Sequence, residues 1–137
     1  MDENAIGRMV VDASMMIHKE LGSGLLESVY EHVLGHVLTE QGLAIERQVS
    51  VPIAFRGVRL DEGFRADLIV EGKVILELKS VEAVNNAHKK QLLTYLRLTG
   101  LKLGLLLNFG SALMKDGITR IVNGLEEKHE LAKPQSR

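Results

Sequence analysis

The stretch FRADLIVEGKVILELKS, residues 64–80, decides the fold. Its halves, FRADLIV and KVILELK, are apolar runs either side of Glu71-Gly72 and read as two antiparallel strands. A hairpin of Leu, Ile and Val needs no charge for stability, yet Asp67, Glu77 and Lys79 stand inside it. Side chains alternate across a strand, so Ile75, Glu77 and Lys79 share one face of the second strand, and Val74, Leu76 and Leu78 share the other. Asp67 goes with Arg65 and Ile69. Whether Asp67 meets Glu77 depends on the turn. Opposed residues in an antiparallel pair have a constant index sum, and an odd-length loop makes that sum even. Val70-Glu71-Gly72, with Gly72 left-handed, is such a loop, and it sets Asp67 on the face of Glu77 and Lys79. A two-residue Glu71-Gly72 loop sends Asp67 to the opposite face. Glu-Gly is a poor type I′ pair, so the odd loop is expected.

Two carboxylates and an amine on one face suit a hard divalent cation. Magnesium takes oxygen ligands, usually one or two carboxylates completed by water and substrate phosphate. The backbone carbonyl of Leu78 is available as a further ligand. Lys79 is then placed to orient or deprotonate a water, or to hold a phosphate. The competing reading is a partly buried ion pair with no chemistry.

Working outward, residues 3–21 read as a helix, with Ile6, Met9, Val10, Ala13, Met16 and Ile17 at helical spacing and Gly22-Ser23-Gly24 as its stop. A second helix is expected from about Leu25 to Gln41, with the stripe Leu26, Val29, Tyr30, Val33, Val37 and Leu38. QVSVPIAFRG (48–57) alternates as a half-buried strand, and Pro52 marks it as an edge or bulged strand. A helix over Ala87–Thr99 follows the central hairpin. KLGLLLNFG is a strand apolar on both faces, Lys115-Asp116-Gly117 a turn, and ITRIV a last strand. The order is α α β β β α β β. One domain over residues 1–125 and a polar C-terminal tail over 126–137 are expected.

The chain has 137 residues, no cysteine, and 17 basic against 18 acidic side chains, a net charge of −1. Disulfides, thiolate catalysis and Cys-ligated zinc are excluded. The absence of cysteine fits a reducing, cytoplasmic setting. The acidic start MDENAIGRMV is not a secretory signal, and no apolar run has the length of a membrane span. Bulk charge gives no argument for nucleic acid, so any such surface is local: Arg47, Arg56, Arg59, Lys89, Lys90 and Arg97 are candidates for phosphate contacts.

Asp67 followed ten residues later by Glu77-Leu78-Lys79 resembles the signature of the PD-(D/E)XK nuclease superfamily, with Ala66 where that pattern often has proline. Gln91-Leu92-Leu93-Thr94-Tyr95 is similar to the Q-x-x-x-Y motif of its RecB-like branch. Gly24-Leu25-Leu26-Glu27-Ser28-Val29-Tyr30 is G-x-x-E-x-x-Y, the pattern that names a small bacterial family within the superfamily, and GLLLNFG (104–110) is typical of that family. The resemblance runs from about residue 5 to 123. It implies an α/β restriction-endonuclease-like core, a mixed sheet of four to five strands flanked by helices. It implies that Asp67 and Glu77, with the Leu78 carbonyl, bind Mg²⁺ or Mn²⁺, and that Lys79 assists catalysis. Glu27 completes the acidic cluster, and Gln91 and Tyr95 contact substrate or brace the site.

Against these stand plainer roles: a helix-capping carboxylate for Glu27, core packing for Tyr30 and Tyr95, an exposed helix position for Gln91. His32 and His36 have zinc-like spacing but lack a third ligand, and read as a solvated helix flank. His88, nearly one turn before Gln91, is a weaker candidate. The function expected is metal-dependent phosphodiester hydrolysis of nucleic acid, DNA before RNA, by a metal-activated water. A non-catalytic nucleic-acid-binding or regulatory protein that keeps the fold is the alternative, and a structural role with the charges as a salt bridge comes third. A chain this small has little surface to grip a duplex, which favours a homodimer or a partner.

Overall fold

The computed structural model describes residues 1–126, so the expected tail lies outside the described residues apart from Glu126. The elements are α1 (Glu3–Leu21), α2 (Glu27–Glu40), β1 (Ile45–Phe55), β2 (Val58–Val70), β3 (Val74–Lys79), α3 (Asn86–Thr99), β4 (Leu103–Asn108), a 3₁₀ turn (Met114–Gly117) and β5 (Ile118–Val122). The five strands form one mixed sheet in the order β1-β2-β3-β4-β5. Only β3–β4 is parallel, and α3 makes the crossover that such a pair requires. This is an α/β restriction-endonuclease-like fold. Among the described residues no helix is long and apolar enough to cross a membrane.

Each face of the sheet is covered. On one side α1 and α2 pack Ile6, Val10, Ile17, Tyr30, Leu34 and Leu38 against Leu68, Val70, Val74, Leu76, Leu78 and the odd-numbered apolar residues of β4. On the other, α3 packs Leu92 and Leu96 against Ala66, Ile69, Ile75 and Leu106. Burial on both faces explains the near-continuous apolar runs of β3 and β4. Met16, Leu26 and Val29, expected in core stripes, are exposed, Leu26 to 74%. Leu25 and Leu26 precede α2, which starts at Glu27, so the buried face is Tyr30, Leu34 and Leu38.

β1 is an edge strand, and its register with β2 shifts between Val51 and Ile53, around Pro52. Both readings of that proline hold, since it donates no ladder hydrogen bond. β2 begins at Val58, earlier than the apolar pattern showed, because Arg56-Gly57 makes a tight turn with φ of 47° and 84°. Residues 58–62 are all exposed on the resulting ribbon, Val58 and Leu60 included.

The central turn differs in detail from expectation. Glu71 and Gly72 both have positive φ (55° and 64°), and Lys73 N–H donates to the Val70 carbonyl at 2.9 Å. Those are features of a tight I′-like turn. Lys73 nevertheless stays out of the ladder, and Val70↔Val74 is the closing pair. The loop is therefore Glu71-Gly72-Lys73 rather than Val70-Glu71-Gly72. Both have three residues, and the index sum is even as expected. Glu71 tolerates its conformation because its carboxylate accepts from Ala44 N–H at 2.5 Å while its own N–H donates to the Ala44 carbonyl at 2.8 Å.

Candidate active site

β2 and β3 pair only over Leu68↔Leu76, Ile69↔Ile75 and Val70↔Val74. The next position on that register sets Asp67 against Glu77, and there the ladder stops. Side-chain carboxylates take over: Glu77 Oε2 accepts from Asp67 N–H at 3.1 Å, and Asp67 Oδ2 accepts from Leu78 N–H at 2.8 Å. The two acids are thus brought together where the strands part. A strand residue's N–H and C=O point to the same edge. The Leu78 N–H points to Asp67, while the Lys79 carbonyl points the other way, to Phe109 N–H at 2.9 Å. The Leu78 carbonyl therefore faces the Asp67 side, beyond the last β2–β3 pair.

Lys79 ends β3 half-buried beside both acids. The ion pairs among the described residues are His36–Glu40, Arg47–Glu31 and Arg59–Asp61, so Lys79 is not locked into a salt bridge with Asp67 or Glu77. Glu27, the first residue of α2, is exposed and accepts from Ser80 N–H at 3.3 Å. Ser80 Oγ donates to the Leu25 carbonyl at 2.8 Å. A cleft of about 480 Å³ opens here, lined by Leu25, Leu26, Glu27, Glu31, Gln48 and Asp67 among others. A larger hollow, about 670 Å³, lies between α1 and β4 and contains none of the candidate residues.

Three supports were missed in the sequence. Buried Asn108, within GLLLNFG, accepts from Val81 and Gly110 N–H at 3.0 and 3.1 Å and donates to the Val81 carbonyl and Ser111 Oγ at 2.9 and 3.3 Å. This amide fixes the segment that follows Lys79. Glu31, 5% exposed, accepts from Arg47 at 2.8 Å and from the Gln48 amide at 2.7 Å. Arg47 is thereby removed from the list of free phosphate-binding candidates. The signal for Glu31 was its spacing of four from Glu27, which puts both on one side of α2. Nothing local marked Gln48 or Asn108.

On α3, Tyr95 is half-buried and stacks on Phe64, with ring centroids 3.7 Å apart and planes inclined by 6°. It also feels the charges of Glu77 and Asp67. Gln91, one turn earlier, is exposed and has no polar contact with the acidic pair among the described residues. His88 is the capping-box partner of Asn85, the N-cap of α3: its N–H donates to Asn85 Oδ1 at 3.0 Å and its Nδ1 accepts from Asn85 N–H at 3.3 Å. His32 Nε2 lies 3.0 Å from Arg47, and His36 pairs with Glu40 on the surface, so the two form no zinc site. Tyr30 is core: it stacks on Phe109 at 4.4 Å, its hydroxyl donates to the Gly22 carbonyl at 2.5 Å, and it accepts from Leu25 N–H at 3.1 Å.

Burial pushes Glu77 up to about 8 from its ordinary 4.5, and the neighbouring Asp67 adds to the rise. The Asp67 N–H and the charge of Lys79 oppose it. Asp67 is also raised, first by burial, with Glu31 and Glu27 contributing and the Leu78 N–H and Lys79 opposing. Burial, then Glu77 and Asp67, raise Tyr95. Two acids held together against burial and each other have an electrostatic use for a cation. Among the described residues no group of three or more His, Cys, Asp or Glu is placed to hold a metal ion. Two carboxylates, a backbone carbonyl and water are a donor set that suits Mg²⁺ or Mn²⁺, which needs no protein cage. Asp67 Oδ1 and Glu77 Oε1 make no hydrogen bond among the described residues, which leaves each acid one oxygen to give.

The sequence profile of the PD-(D/E)XK nuclease superfamily matches residues 4–121. Among solved structures, the chain is similar to the crystal structure of SSO0001, with 23% identity and a TM-score of 0.53 over 88% of this chain and 69% of that one. That likeness concerns the fold. No curated protein matches the chain.

Proposed function

The chain belongs to the PD-(D/E)XK nuclease superfamily, and from that premise we propose that it hydrolyses phosphodiester bonds in nucleic acid, DNA before RNA. The observation that carries this reading is the meeting of Asp67 and Glu77 where the β2–β3 ladder ends, with Lys79 beside them and outside any salt bridge among the described residues. Asp67, Glu77 and the Leu78 carbonyl would hold Mg²⁺ or Mn²⁺. When bound, the cation supplies positive charge against the phosphate and a water of lowered pKa. Lys79 orients the attacking water or holds the scissile phosphate, an office that a lysine locked in a salt bridge could not fill. Glu27 reaches the end of β3 from α2 and adds its carboxylate to the cluster. Tyr95, backed by Phe64, lies within electrostatic reach of the acids, and Gln91 offers an exposed amide to substrate from the same helix. The G-x-x-E-x-x-Y pattern at Gly24, Glu27 and Tyr30 supports membership of the bacterial family named for it. A homodimer would enlarge the surface available to a duplex.

The test is cleavage of end-labelled DNA and RNA with Mg²⁺, Mn²⁺ or EDTA. Cleavage should require the cation and fall by at least about 100-fold in Asp67→Ala, Glu77→Ala and Lys79→Ala, each of which should keep its circular dichroism. Cleavage that persists in EDTA, or in the Glu77 variant, contradicts the assignment.

A further inference from the structure

Arg47 and Gln48 are consecutive residues of β1, and on a regular strand consecutive side chains leave on opposite faces. Here both reach one carboxylate, Arg47 to Glu31 Oε2 and Gln48 to Glu31 Oε1. The backbone of Gln48 makes this convergence possible. Its φ is 52°, the left-handed region that a non-glycine residue rarely occupies. The cost must be met by its surroundings, and the Glu31 carboxylate supplies the anchor.

The turn at Gln48 has a consequence on the neighbouring strand. Pairing of β1 with β2 keeps one register from Ile45↔Val70 to Val51↔Phe64, except that the Gln48–Asp67 pair is missing. On either side of the gap the ribbon shows different faces. Ile45, Leu68 and Val70 pack toward α1 and α2, whereas Val49, Phe64 and Ala66 pack toward α3. Asp67 stands at this half-turn. Released from β1, it sends its carboxylate to the Leu78 N–H instead.

We infer that Glu31 is a positioning residue: by clamping Arg47 and Gln48 it holds Gln48 left-handed, and so aims Asp67 out of the β-ladder toward Leu78 and Glu77. Its effect on turnover rests on the nuclease reading, but the geometric claim does not. Glycine adopts positive φ without an anchor, so a Gln48→Gly substitution should make Glu31 dispensable. Valine, β-branched, should resist the conformation even with Glu31 present.

The readout is hydrogen exchange of the Leu78 amide in ¹⁵N-labelled full-length protein, with the Leu76 and Leu107 amides reporting the rest of the sheet. In Gln48→Val and Glu31→Gln the Leu78 amide should exchange roughly ten-fold faster, with Leu76 and Leu107 unchanged. Gln48→Gly should stay protected, and the double variant Glu31→Gln/Gln48→Gly should recover protection lost in Glu31→Gln. If Gln48→Val does not fold, Glu31→Gln and the double variant decide the matter. Wild-type protection of Leu78 in Glu31→Gln, or failure of the added Gln48→Gly substitution to restore it, overturns the inference. Where wild type cleaves nucleic acid, kcat should follow Leu78 protection with KM little changed. A wild type that does not cleave removes the nuclease reading, and the Leu78 result still decides the role of Glu31.

Discussion

Glu77 carries the main electrostatic tension of the molecule. It is 8% exposed, and burial followed by the proximity of Asp67 raises it to about 8. Its folded pKa lies above its unfolded one, so between pH 4.5 and about 8 the folded chain binds more protons than the unfolded chain. Stability that this group allows at low pH is therefore lost as pH rises through that window, by an amount on the order of a few kcal/mol. Glu77→Gln removes the titration. In EDTA, wild type should melt at progressively lower temperature from pH 5.5 to 8.5 relative to Glu77→Gln, with the two converging toward the acid end. Parallel curves for the two proteins would show that Glu77 is not the strained group. Asp67, raised in the same direction, adds to the slope.

At the scale of elements, the G-x-x-E-x-x-Y stretch does two jobs from one helix start. Glu27 faces the end of β3, while Tyr30 is wholly buried and pins residues 22–25 through its hydroxyl. Tyr30→Phe keeps the ring stack on Phe109 and loses two hydrogen bonds, so it should cost about 1–2 kcal/mol and lower Tm by about 3–8 °C. Turnover at a temperature where the variant is folded should be near wild type; a large fall in kcat would make Tyr30 a participant in the reaction. Much of this was legible in the sequence. The eight elements came from apolar periodicity, and the odd length of the hairpin loop was expected; the half-turn at Asp67, across which the faces of β2 exchange, was not. The precise loop was not legible, because Glu71 adopts positive φ only through a partner, Ala44, that is remote in the chain. Gln48 was hidden for the same reason: its conformation depends on Glu31, 17 residues away. Asn108 read as part of an apolar strand, since its two hydrogen bonds to Val81, 27 residues away, leave no local mark. Leu26 misled because it is apolar and precedes a helix whose buried face begins at Tyr30.

The whole molecule has no charge surplus to draw in a polyanion, with 17 basic and 18 acidic residues. Around the candidate site acidic side chains outnumber basic ones, Glu27, Glu31, Asp67 and Glu77 against Lys79 and the Arg47 held by Glu31. A phosphate approaching those acids is repelled unless positive charge intervenes. For the proposed nuclease the cation is therefore needed both to bind substrate and for the chemistry. Calorimetric titration of Mn²⁺ into wild type and Asp67→Asn at pH 7.5 tests it most directly. The Asp67→Asn variant leaves a neutral amide of nearly the same shape, so a difference between the titrations reports the carboxylate. Wild type should give saturable binding, and Asp67→Asn should bind at least about ten-fold more weakly. Indistinguishable titrations, or no saturable binding by wild type, would contradict a cation site at Asp67 and Glu77.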